Sequence, residues 1–170
     1  MPKLYISFAA MNKGIYLLLG SNMGNASKHL ADAISFIGKL NLQINAVSSV
    51  YKTAAWGKTD QLPFLNQCLE ISSTMSPEDL LKALLGIELE MGRVRIEKWA
   101  ERIIDIDILY YSDLILSSEH LQVPHPYLHQ RRFTLVPLSE IAPNFKHPQL
   151  QLSSMELLER CEDLLDVEKL

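Results

Sequence analysis

The chain has 170 residues, 48% of them hydrophobic and 21% charged, with a formal net charge of −4. That balance fits one folded domain with its own core and excludes an intrinsically disordered chain. No apolar run reaches the ~20 residues that span a bilayer, and the negative charge argues against a general nucleic-acid binder. Two distant cysteines, Cys68 and Cys161, form neither a disulfide framework nor a metal-site spacing, which points to a reducing cytoplasm.

The charge is uneven. Residues 151–170 hold six acids and two bases, so the remainder of the chain is neutral. Within that neutral body, Arg93, Arg95, Lys98 and Arg102 form one basic cluster, and His125, His129, Arg131 and Arg132 form another. Local positive patches on a neutral body suit a small anionic ligand better than a long polyanion.

Residues 1–13 read as an irregular extension. Lys3 followed by Leu4–Met11 matches a signal peptide only faintly, and Met11 is an alternative start. Ile15–Leu19 is a short apolar run, expected as a buried strand. A turn at Asn22–Asn25 leads to a helix capped by Ser27, with Leu30, Ile34 and Ile37 on one face up to about Leu40. Leu42–Tyr51 alternates as a second strand, Thr53–Pro63 reads as a loop, and Phe64–Ser73 is a third strand. Ser76-Pro77-Glu78-Asp79 is a helix start: a capping hydroxyl, a first-turn proline and two acids at the positive end of the dipole. Leu80, Leu81, Leu84 and Ile87 form its buried face, and Gly92 is expected to end it.

Arg93–Glu101 reads as a charged loop, and Ile103–Tyr111 as a fourth strand that turns at Ser112-Asp113 into a short strand at Leu114–Leu116. After Pro124, short helices broken by Pro126, Pro137 and Pro143 are expected, with His147 at the surface. An acidic helix over the last residues, within 151–170, should turn Met155, Leu158 and Cys161 inward. The order β-α-β-β-α-β is the ferredoxin-like arrangement. It predicts an α+β domain with an antiparallel sheet and both main helices on one face. The C-terminal helices would cover the other face, giving an α/β/α three-layer single domain over residues 1–170.

The segment Arg102-Ile103-Ile104-Asp105-Ile106-Asp107-Ile108 carries the clearest chemistry. On a strand, Ile104, Ile106 and Ile108 share the core face, while Asp105 and Asp107 share the opposite one, ~7 Å apart. Two carboxylates side by side in an apolar strand repel each other and lose hydration, which a divalent cation relieves. Carboxylates without histidine or cysteine favour magnesium. Arginines beside such a pair are what phosphoryl transfer needs. A pair of solvated aspartates on an exposed sheet face is the competing reading. Leu19-Gly20-Ser21-Asn22-Met23-Gly24 lacks both the P-loop and the dinucleotide spacing. Any nucleotide must therefore be held by the metal and the basic patches. In Val123-Pro124-His125-Pro126, prolines on both sides fix the backbone of a histidine that, with Arg131, can donate to phosphate.

These pieces resemble the 6-hydroxymethyl-7,8-dihydropterin pyrophosphokinase family, an enzyme of folate synthesis. The likeness runs from about Gly14 to Pro143, in order: Leu19-Gly20-Ser21-Asn22, Val47–Thr53, Phe64-Leu65-Asn66, Ile87–Arg95, Arg102 with Asp105–Ile108, and Val123–Pro126 with Arg131 and Phe133. The resemblance implies transfer of pyrophosphate from ATP to the pterin hydroxymethyl group, releasing AMP. It also implies two magnesium ions on Asp105 and Asp107. It makes Arg93, Arg95, Arg102 and Asp107 catalytic, and places Arg93, Arg95, Trp99 and Arg102 on a mobile loop closing over the reactants. ATP would contact Arg95, Trp99, Arg102, Ile108, His125 and Arg131. The pterin pocket would hold Thr53, Phe64, Asn66, Trp99 and Phe133, and Glu88 also matches a family position. Trp99-Ala100-Glu101-Arg102 stands where the family commonly has Trp-Gly-Pro-Arg. A cytoplasmic monomer is expected. The alternative is a non-catalytic ferredoxin-like ligand-binding or regulatory module, which has no need of two carboxylates beside three arginines.

Overall fold

β1 (Asn12–Ser21) buries seven consecutive residues, Ile15 to Ser21. An antiparallel strand buried on both faces must sit inside its sheet and be covered above and below. The computed structural model, which describes residues 12–54, 62–93 and 102–170, shows this. β1 lies between β4 (Phe64–Ser73) and β5 (Asp105–Tyr111), antiparallel to both. β2 (Leu42–Val47) and β3 (Tyr51–Thr53) follow one another along the far edge of β4. This is the ferredoxin-like order, with α1 (Ala26–Gly38) after β1 and α2 (Pro77–Glu90) after β4.

Two apolar clusters sandwich the sheet. On one face Ile15, Leu17, Leu19, Ile104, Ile106 and Ile108 meet Leu30 and Ile37 of α1 and Leu80 and Leu84 of α2. On the other, Tyr16, Leu18, Cys68, Leu109 and Tyr110 meet Leu135 and Leu138 of α3 (Arg132–Ile141) and Leu157 of α4 (Ser154–Glu159). The register of β5 slips between Tyr16 and Leu17, so consecutive Leu109 and Tyr110 both join the second cluster. The expected three layers are present.

Several local expectations change. β1 begins at Asn12, inside the expected extension. The first helix is capped by Asn25, whose side chain accepts from the Lys28 amide, not by Ser27. The expected strand Leu42–Tyr51 is two strands, because Ser48 diverts its hydrogen bonds. Its hydroxyl accepts from Cys68 N–H at 2.9 Å while donating to Ser49 O at 2.8 Å. Thr53 belongs to β3 rather than to the following loop. After β5, the short strand is β6 (Leu116–Ser117), and it pairs with β7 (Gln122–Val123) instead of returning along β5. Pro137 lies inside α3 without breaking it.

The C-terminal helix is also corrected. α4 has six residues and buries Leu157, while Met155 is exposed. Leu158 and Cys161 pack only partly, against the second cluster. The chain then forms β8 (Val167–Lys169), antiparallel to β3. His147 is buried, not superficial: its Nδ1 accepts the Gln149 and Leu150 amides at 3.2 Å, and its ring stands edge-on to Tyr110. Among the described residues, no helix is long and apolar enough to cross a membrane.

Ser48 joins β2, β3 and β4, so Ser48→Ala should destabilise the fold by ~1–3 kcal/mol by leaving the buried Cys68 amide unsatisfied. Urea unfolding measures this, and an unchanged midpoint contradicts the role given to the hydroxyl.

Candidate active site

The α3 face of the sheet changes character along its length. One end is the apolar cluster of Tyr16, Leu18 and Cys68. At the other end, a single cross-strand row runs Asp105, Gly20, Asn66, Tyr51 and Lys169 through β5, β1, β4, β3 and β8. Gly20, between Asp105 and Asn66, has no side chain. A Cβ there would stand 3.2 Å from Asn66 Oδ1 and 3.9 Å from Phe64 Cδ1. The row is therefore open between the carboxylate on β5 and the amide on β4, two strand spacings or roughly 10 Å away.

At the amide end, buried Asn66 donates through Nδ2 to Thr53 Oγ1 at 2.8 Å. Phe64 shares this face, paired across the ladder with Thr53. A hydroxyl that accepts in this way still has a proton to donate, so the pair presents fixed polar groups beside an aromatic ring.

At the carboxylate end, three acids are balanced by arginines. Glu88, on the buried side of α2, accepts the Ile106 amide at 2.7 Å and pairs with Arg93. Arg93 Nη1 also donates to Asp105 Oδ1 at 2.7 Å, and Arg102 Nη1 donates to Asp105 Oδ2. Burial and nearby Asp105 raise the Glu88 pKa, with Arg93 opposing. Burial works against the charge on Arg93, but Asp105 and Glu88 outweigh it and raise its pKa. For Asp107 burial prevails. Loss of hydration first, then the Asp105 charge, push its pKa up to about 7 in spite of Arg131 and Arg102.

Beyond Asp107 lies a pocket of about 280 Å³, floored by Ile106–Ile108 and walled by residues 118–122 and His125-Pro126. His125 N–H donates to Leu109 O at 2.9 Å, which ties the histidine to β5. Its Nδ1 accepts the Tyr127 amide at 3.3 Å, so the ring proton sits on Nε2. Burial first, then Arg131, push the His125 pKa down to about 4, so near neutral pH it is an uncharged donor. Arg131 is buried, with its guanidinium carbon 5.1 Å from the Tyr127 ring centre and 5.7 Å from that of Phe133.

The structure thus brings Arg93, Arg102, Asp105 and Asp107 together, places Ile108 and His125 on one pocket, and pairs Thr53 with Asn66. Phe133 packs partly against the second apolar cluster. Arg95 and Trp99 lie outside the described residues. Two residues gain weight beyond their sequence signal. Glu88 lies four residues after Leu84, on the apolar stripe of α2, so its spacing marks a buried acid, and the structure shows that it holds Arg93. Asn22 is buried: its Oδ1 accepts the Arg102 amide at 2.8 Å and its Nδ2 donates to Leu62 O at 3.3 Å, linking the carboxylate end to the approach of β4.

Among the described residues, no group of three or more His, Cys, Asp or Glu is arranged to enclose a metal. Two carboxylates on one face, one of them resisting ionisation, fit magnesium, which commonly takes one or two protein carboxylates and completes its shell with water and substrate phosphates.

Residues 16–143 match the family described as 7,8-dihydro-6-hydroxymethylpterin-pyrophosphokinase (HPPK). Over 130 residues the chain is 43% identical to a 2-amino-4-hydroxy-6-hydroxymethyldihydropteridine pyrophosphokinase of Methylorubrum extorquens, covering 76% of this chain and 82% of that protein. A protein of the same description from Haemophilus influenzae is 39% identical over 149 residues, covering 87% and 92%. The structure of wild-type Plasmodium falciparum HPPK-DHPS with STZ-DHP superposes with a TM-score of 0.73 at 18% identity, over 91% of this chain and 44% of that longer one. At that identity the likeness speaks for the fold.

The Asp107 shift has a signed consequence. Below pH ~4 the carboxyl is protonated in both folded and unfolded chains, and between ~4 and ~7 only the unfolded chain releases the proton. Metal-free stability should therefore fall across that window. Asp107→Asn should be more stable than the parent by ~1–3 kcal/mol at pH 8 in a chelator, and no more stable near pH 4. Thermal melts at the two pH values check this, and a parent that outlasts the variant at pH 8 contradicts it.

Proposed function

The chain belongs to the 7,8-dihydro-6-hydroxymethylpterin-pyrophosphokinase family, and from that membership we propose that it transfers the β,γ-pyrophosphoryl group of ATP to 6-hydroxymethyl-7,8-dihydropterin. The pterin hydroxymethyl oxygen bonds to the β-phosphorus and loses its proton, the bond from that phosphorus to the α,β-bridging oxygen breaks, and AMP leaves. The observation that carries this reading is the open cross-strand row. It holds a carboxylate–arginine end and an aromatic–amide end on one surface, separated only by Gly20.

Each end suits one substrate. Phe64 offers a ring for a pterin face, and the Asn66–Thr53 pair offers donors and acceptors for its polar edge. Phe133 is assigned the opposite face. The pocket beside Ile108 and His125 suits the nucleotide, with neutral His125 donating from Nε2 and Arg131 supplying charge to the phosphates. We assign Arg95 and Trp99 to ATP, and Trp99 also to the pterin, from the family resemblance.

Asp105 and Asp107 are assigned as the ligands of magnesium, with two ions expected; the metal supplies neutralisation of the triphosphate charge. With Asp105 holding the cation, Arg93 and Arg102, which now donate to that carboxylate, would be freed to donate to the phosphates. Glu88 keeps Arg93 in place through that exchange. We place the enzyme in the cytoplasm as a monomer. Both cysteines are free.

AMP release from ATP, magnesium and 6-hydroxymethyl-7,8-dihydropterin tests the reading. The wild type should turn over, and Asp105→Ala or Asp107→Ala should remove nearly all activity while the fold persists. A regulatory module would bind both ligands and release no AMP. For the pterin end, Asn66→Ala should weaken pterin binding by ~1–3 kcal/mol and leave affinity for an ATP analogue almost unchanged. Gly20→Ala, which presses a methyl on Asn66 Oδ1, should act in the same direction. Calorimetric titration separates the ligands, and equal losses for both place the pocket wrongly.

A further inference from the structure

The residue that joins most segments of this face is absent from either substrate end. Glu140 lies near the C-terminal end of α3 and receives four donors from the far side of the sheet. Ser49 N–H donates at 2.9 Å, Ser49 Oγ at 2.8 Å, Tyr51 Oη at 2.9 Å and Lys169 Nζ at 3.1 Å. These come from the β2–β3 break, from β3 and from β8, so one carboxylate ties α3 to three segments. Burial alone would raise its pKa, but the Ser49 amide and hydroxyl, Lys169 and Tyr51 pull it down to about 2, so it is ionised throughout the working range.

The placement gives these bonds a consequence for the site. Tyr51 and Lys169 stand in the same cross-strand row as Asn66. Thr53, which accepts the Asn66 amide, is two residues beyond Tyr51 on a strand only three residues long. Glu140 is seven residues after Phe133 on α3, two helical turns, so the two side chains lie on one side of that helix. The carboxylate therefore braces the helix that carries Phe133 against the strand that carries Thr53.

We propose that Glu140 is a positioning residue for the pterin subsite, setting the gap between Phe133 on α3 and the Thr53–Asn66 pair on the sheet; this rests on the assignment of that end of the row to the pterin. Glu140 does not border the carboxylate end or the nucleotide pocket. Its bonds to Ser49 and Tyr51 lead into the strand that carries Thr53, so its loss falls first on the pterin, where a purely structural role would act on neither substrate or on both equally.

The test compares steady-state constants for the wild type, Glu140→Ala, Glu140→Gln and Ser49→Ala, with a thermal melt of each. Glu140→Ala should raise KM for the pterin about tenfold, equivalent to ~1.4 kcal/mol, with KM for ATP within about twofold. Glu140→Gln, which keeps an acceptor oxygen but not the charge drawing in Lys169, should fall between. Ser49→Ala removes one of the four bonds at an exposed site and should raise the same constant by a smaller factor, and it carries the test if Glu140→Ala fails to fold. Equal rises for ATP and pterin, or a lower melting temperature with the pterin constant unchanged, overturn the proposal. Fluorescence titration of the pterin beside an ATP analogue gives the same comparison without turnover. A wild type that binds pterin but releases no AMP thus fails the proposed reaction, whereas variants that bind it as the wild type does fail the role of Glu140.

Discussion

Repulsion among three carboxylates at one end of the sheet is the constraint on which the site depends. Glu88, Asp105 and Asp107 gather where α2 meets β5, with Arg93 and Arg102 directly against them and Arg131 nearby. Buried ion pairs contribute little net stability when intact, but removing one partner of such a pair costs ~3–5 kcal/mol because a charge is left uncompensated. The arrangement is therefore expensive to break and far from optimal for folding. It makes sense as a surface whose paired charges are held ready to exchange partners with a ligand. It also means that Arg93 cannot be probed cleanly by deletion, since its loss exposes Glu88 as well as the ligand.

The rest of the fold serves to hold that end still. β1, buried along its inner length, separates an aliphatic core under α1 and α2 from a mixed face under α3 and α4. Stability comes from the first face, and the second is divided between packing and chemistry. Leu18 and Cys68 lie in one cross-strand row with Asp107, and the next row along carries Gly20, Asn66 and Asp105. A shift of one residue in the register of β5 would turn both aspartates into the aliphatic core, so the ladder that builds the sheet also aims the site.

Where periodicity and local chemistry decide the structure, the residues announced it. The alternation Ile104-Asp105-Ile106-Asp107-Ile108 placed isoleucines in the core and aspartates opposite, and Ser76-Pro77 began a helix. What was not legible depends on distant partners. In residues 151–170 the apolar spacing imitates a helix, but the edge of β3 is available and Val167–Lys169 pairs with it instead. Ser48 reads as one more strand residue until Cys68 lies opposite. His147 beside Pro148 reads as surface until its ring nitrogen is found accepting two amides. Glu88 and Glu140 sit in helices, and only the tertiary structure shows the groups each one holds. The site residues themselves were named mainly through the family resemblance, because Asp-x-Asp, a lone His-Pro or a strand phenylalanine is common in unrelated proteins.

If the Asp105–Asp107 pair holds magnesium, nucleotide binding must depend on that ion. Calorimetric titration with a non-hydrolysable ATP analogue, in magnesium and in chelator, tests it most directly when the wild type is compared with the Asp105→Ala, Asp107→Ala double variant. The wild type should bind at least about tenfold tighter in magnesium, and the variant should bind equally weakly in both conditions. A variant that retains the full magnesium dependence of the wild type contradicts it.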